Sequence, residues 1–147
     1  MSRTVLTQDH GKAFYPIDSW ATMENLTVPR VAREWLVGSY LMTKGNAAAI
    51  NIPWPEDAAP RNLSVQLSWP EYAAPLGAAT ERPTKISQTN AVWRRRFEHG
   101  VVYLHPRTDA VSVAVGKAYC STRGEKLQPG PLKLGGWGAA ILLDRCE

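Results

Sequence analysis

The chain is poor in the residues that usually build a metal or redox centre. Its 147 residues include two cysteines and three histidines. Cys120 and Cys146 belong to no Cys-x-x-Cys or Cys/His cluster, and His10, His99 and His105 show no ligand spacing with them. Structural zinc is therefore set aside, and no metal site is expected. The cysteines read as two separate thiols in or near a core; pairing would need two strands to bring them together, which the sequence leaves open. No glycine-rich loop opens a helix. The run GGWG (135–138) precedes a strand instead, so it fails the context that a dinucleotide or P-loop site requires, and no cofactor is expected. The opening MSRTVLTQDHGK lacks the apolar core of a signal peptide. No segment approaches the roughly 18 uninterrupted apolar residues of a membrane span. The expectation is a soluble chain with no visible export signal and no membrane partner.

What is present is apolar and aromatic. Hydrophobic residues make up 44% of the chain, with six Trp, five Tyr and two Phe, enough for a packed core and too many for disorder as the overall state. The net charge of +4 is spread along the chain rather than gathered in a stripe. The single dense run is Arg94, Arg95 and Arg96 within VWRRRFEHGVVYLHP (92–106). On a strand, Arg94 and Arg96 face one way and Arg95 the other, so they cannot make one clamp. This disfavours nucleic acid as a partner. At least one arginine is expected to bridge to a neighbouring element through a carboxylate or backbone carbonyls.

The spacing predicts a helix over 27–45, with Val28, Val31, Ala32, Trp35, Leu36, Ser39 and Met42 on one face. Thr27 suits the N-cap, Pro29 the first turn, and Lys44-Gly45 the end. Arg30, Arg33 and Glu34 fall on the wet face. AAAINI (47–52) reads as a strand buried on both faces, and WATME (20–24) as a preceding strand, or as a loop with a helical turn. From 53 to 89 six prolines exclude a long helix, and LSVQLSW (63–69) suits one edge strand. Strands are expected at 91–97, 101–105, 111–115, 117–120, 132–134 and 139–143, a spacing that suggests an antiparallel sandwich.

Several of these pieces resemble one family. Arg94 to Phe97, then Gly100, Val101, Val102 and His105-Pro106, resemble a strand pair in the C-terminal β-domain of bacterial glycoside hydrolases that carry a (β/α)8 barrel followed by a small β-sandwich. The family generally has Asn where this chain has His105. WPEYAAPLG (69–77) resembles the connection from barrel to sandwich, and GWGAAILL (136–143) is similar to the last strand. ATMENL (21–26), WLVGSYLMTKG (35–45) and AAAINI look like the seventh strand, seventh helix and eighth strand of the barrel. A complete barrel needs about 250 residues, so the resemblance implies the C-terminal portion of such a protein. It implies a partial barrel remnant, the last strand-helix-strand, in residues 1–55. A proline-rich connection packed on the domains would follow in 56–90, and a small antiparallel β-sandwich in 91–147.

The function so implied is hydrolysis of glycosidic bonds in polysaccharide by a protein of which this chain is not catalytically complete. Such chemistry uses two carboxylates. Glu24, at the end of the seventh strand, is the candidate for one of them; a solvated acid at the start of the helix is its plainer reading. The partner acid would lie on an earlier strand that the chain does not contain. Trp54, Trp69 and Tyr72 are candidate sugar-binding aromatics, with Trp54 alternatively packing a seam. Glu56 and Asp57 read as surface acids, and Asp18 and Glu71 have no partner that the sequence indicates. Carbohydrate is the expected partner, with self-association where a cut barrel would expose apolar surface. The alternatives are a carbohydrate-binding accessory β-module and a structural subunit of a larger assembly.

Overall fold

The computed structural model describes residues 30–45, 69–87 and 89–146. They form one helix and eight strands: α1 (Arg30–Thr43), β1 (Thr84–Lys85), β2 (Trp93–Phe97), β3 (Gly100–His105), β4 (Val111–Val115), β5 (Tyr119–Ser121), β6 (Lys126–Leu127), β7 (Gly130–Leu134) and β8 (Gly138–Leu143). This part of the chain is mostly antiparallel sheet with a single helix, a small sandwich-like fold. The expected strands at 20–24 and 47–52 and most of 63–69 lie outside the described residues; of the expected barrel remnant only the helix is described, and the described residues do not show a barrel.

Three nested pairings organise the sheet. β3 pairs with β8, β4 with β7 and β5 with β6, placing Leu104 opposite Ala139, Val113 opposite Leu132 and Tyr119 opposite Leu127. Residues 100–121 and 126–143 are therefore the two arms of one long hairpin, closed at a turn where Gly124 adopts φ 80°. The hairpin is rolled rather than flat. Its middle makes a separate two-stranded sheet, β4-β7, and its tip folds back so that Cys120 of β5 lies opposite Leu143 of β8. The main sheet then runs β1-β2-β3-β8-β5-β6. Jelly rolls use the same nesting. Pro131 fits in β7 because a two-stranded sheet consists only of edges.

The rolled hairpin buries β3 on both faces. Val102, Leu104, Ala139 and Ile141 pack with Leu36, Val37, Leu41 and Met42 of the helix, while Val101, Tyr103 and Leu142 pack with Val113, Val115 and Leu134 of the second sheet. That accounts for the unbroken apolar run VVYL, where a half-exposed strand would alternate. Helix and sheet approach closely because residue 38 is glycine; a Cβ there would sit 2.7 Å from the Ala139 Cβ.

Two expectations for the helix are corrected. Val31 is 61% exposed, because the first turn stands over an open groove lined by β7 and β8. Arg33 is not on a wet face: the turn at 69–73 packs against the helix and receives its side chain at Glu71.

Cys120 and Cys146 form a disulfide with Cα atoms 5.3 Å apart, inside the range a bridge needs. The free-thiol reading fails because the fold-back of β5 onto β8 brings together residues 26 apart in sequence. Closing a loop of that length removes unfolded-chain entropy worth about 3 kcal/mol. Urea unfolding with and without reductant should therefore differ by about that amount; coincident curves would show that the bridge does not form in solution.

Candidate functional site

The three arginines of β2 divide as strand alternation requires. Arg94 reaches the Glu81 carboxylate at 3.3 Å and Arg96 is exposed, whereas Arg95 is only 8% exposed and points toward the helix. Its Nη1 donates to the carbonyls of Leu41 at 2.8 Å, Met42 at 3.4 Å and Lys44 at 2.7 Å, and its Nε donates to the Glu81 carbonyl at 3.2 Å. The last carbonyls of a helix have no intrahelical partner, and the macrodipole places partial negative charge there. α1 has no basic residue of its own in its last turn. A guanidinium from the sheet supplies both the donors and the charge. The expected bridge to backbone carbonyls is present, and it joins helix to sheet.

A second junction holds the helix to the turn at 69–73. Arg33 Nε donates to Glu71 at 3.1 Å, with the Arg33 side chain 15% exposed and that of Glu71 fully buried. The Arg33 guanidinium also lies 5.9 Å from the Trp69 ring centroid, a cation–π distance. Glu71, for which the sequence indicated no partner, thus has one from the helix.

The predicted site residues are scattered. Glu24 and Trp54 lie outside the described residues. Trp69 is buried in the helix-side core, while Tyr72, three residues on, is 42% exposed. Tyr72 lies near Tyr40 on α1, whose phenol pKa is raised chiefly by burial and further by Tyr72. The structure therefore does not join Trp69 and Tyr72 into one exposed row.

Two features at the ends of the sheet carry polar groups. A cleft of about 390 Å³ is lined by Glu98, His99, Asp144 and Arg145. Its carboxylates are engaged, Glu98 with the Ala78 N–H at 2.9 Å and Asp144 with Lys117 at 2.8 Å. His105 is fully buried at the end of β3, its Nε2 2.9 Å from the Asp109 carbonyl oxygen, as a turn histidine would be. Among the described residues no group of His, Cys, Asp and Glu side chains is arranged to hold a metal ion.

One aromatic pair escaped the sequence reading. Trp137 is 51% exposed and meets Trp35 edge-on, with ring centroids 5.4 Å apart and planes at 84°. The signal was in GGWG: three glycines around one tryptophan mark a tight turn with the indole at its tip.

No protein-family model, no curated protein and no solved structure matches the chain.

The Arg33–Glu71 junction makes a stability prediction. Arg33→Met strands a fully buried carboxylate and should cost about 3–5 kcal/mol, whereas adding Glu71→Met should restore most of the loss. Urea midpoints of the wild type and both variants check this. Equal losses in the single and double variants would mean that packing, not the ion pair, is what the pair supplies.

Proposed function

We propose that this chain is the C-terminal portion of a glycoside-hydrolase-like protein acting on polysaccharide, with a sandwich that engages glycan and is not catalytically complete. The observation that carries this reading is the Arg95 junction. A freely tethered binding module would cover its sheet only with its own strands. Here one sheet face is committed to a helix upstream of the sandwich, and a buried arginine is dedicated to that helix's last carbonyls. Such a join suits a sandwich built onto an α/β body, which is what the barrel-plus-sandwich resemblance implies.

Glu24 remains the proposed catalytic carboxylate, and the glycan-binding role falls to exposed aromatics such as Tyr72. A disulfide between Cys120 and Cys146 suits a protein working in an oxidising compartment, where polysaccharides are met.

The test is retention of the purified chain on insoluble cellulose, xylan, mannan and starch, with a reducing-end assay run alongside. Retention on at least one of them without release of reducing ends is expected. Failure to bind any of the four would overturn the glycan reading. Turnover by the chain alone, abolished in Glu24→Gln, would overturn the claim that it is catalytically incomplete.

A further inference from the structure

Trp137 is the only non-glycine in the turn 135–138 and holds φ 50°, a left-handed conformation that is strained for a bulky side chain. The surroundings over-determine it. The Trp137 N–H donates to the Arg107 carbonyl at 2.6 Å. Gly136 lies so close to the Thr108 carbonyl that no Cβ would fit between them, and a Cβ on Gly138 would sit 2.6 Å from the Gly135 carbonyl oxygen. Glycine at 137 would satisfy the same turn without strain. The fold instead carries the strain and, beyond one edge-on contact with Trp35, holds a large apolar ring half in water.

We propose that Trp137, braced edge-on by Trp35, is a stacking platform for a pyranose ring of an uncharged polysaccharide; this deepens the glycan reading above and rests on it. An indole face suits the apolar C–H face of a sugar, and the rigid ring loses little entropy when it stacks. The surroundings supply the rest of a sugar site. A groove of about 270 Å³ runs from Gly135 and Gly138, on either side of the tryptophan turn, along the first turns of α1. Arg30, Glu34, Glu125 and Lys133 line it, Arg30 paired with Glu34 at 2.6 Å and lying 3.9 Å from Glu125, so the formal charges of the lining balance. Hydroxyl groups both donate and accept, and a rim of both signs serves them.

The charge balance argues against other occupants. A nucleic acid or an acidic glycan would require an excess of positive charge. The exposed large apolar side chains here, Trp137 and Val31, offer little surface beside the roughly 800 Å² that each partner of a stable protein interface buries.

The experiment is a tryptophan-fluorescence titration of the full chain with soluble cello-, xylo-, manno- and malto-oligosaccharides. Wild type is compared with Trp137→Gly, Trp137→Asn and Ile86→Ala, an exposed apolar side chain outside the groove. Glycine and asparagine both tolerate the left-handed turn, so the Trp137 variants should fold and melt close to the wild-type temperature. Their dissociation constant for the bound sugar should rise by about tenfold or more, while Ile86→Ala should bind like the wild type. Unchanged affinity in both Trp137 variants would overturn the platform and leave the proposed function standing. If the wild type binds none of the sugars in solution or on solid polysaccharide, the glycan reading falls and the platform with it. Loss of self-association in the Trp137 variants with unchanged sugar affinity would identify the patch as a contact between copies, again overturning the platform.

Discussion

Arg95 is the side chain on which the described structure turns. A helix end is an electrostatic and hydrogen-bonding problem that sequence-local residues ordinarily solve, with a basic side chain in the last turn or a glycine just beyond it. Here the charge comes from a strand more than fifty residues away, through Nη1 contacts to Leu41, Met42 and Lys44. Because the guanidinium is buried, releasing the helix would strand both a charge and three carbonyls. Other contacts hold the helix beside this fixed point. Gly38 lets the backbone settle against Ala139, Leu36, Val37, Leu41 and Met42 join the sheet's apolar face, and Arg33 anchors the turn at 69–73.

The rolled hairpin sets the other half of the architecture. Its arms place β3 and β8 at the centre of the main sheet, buried between the helix and the β4-β7 pair. Its fold-back makes the disulfide possible by laying β5 beside β8. The same roll exposes the 135–138 turn at its rim and puts Trp137 next to Trp35 of the helix. The aromatic pair joins the helix to the hairpin rim, so the proposed sugar platform shares the helix position that Arg95, Arg33 and the apolar packing together hold.

Much of the β architecture is legible in the sequence. The turn residues Arg107–Asp109, Arg123-Gly124 and Gly135–Gly138 punctuate the chain where the strands end, and all six strands expected from residue 91 onward are present. The short strands β1 and β6 are not legible, since two residues carry no period. Strand alternation separates Arg95 from its neighbours correctly, but its target cannot be read, because pairing between distant segments leaves no local pattern. Arg33 and Glu71 escape for the same reason: each reads as a solvated charge until the turn at 69–73 is placed on the helix. Trp137 is passed over because its run reads as a turn, as a failed phosphate loop and as the start of the last strand, all questions about the backbone rather than about the ring it displays.

The most direct test of the central claim is hydrogen exchange on the wild type and on Arg95→Met. If Arg95 ties helix and sandwich into one unit, the wild-type amides of α1 and of β3 and β8 open together with the same free energy. In the variant, α1 should lose protection by about tenfold or more while β3 and β8 keep more of theirs. Unchanged protection of α1 in Arg95→Met would contradict the account, because the helix would then be held by packing alone.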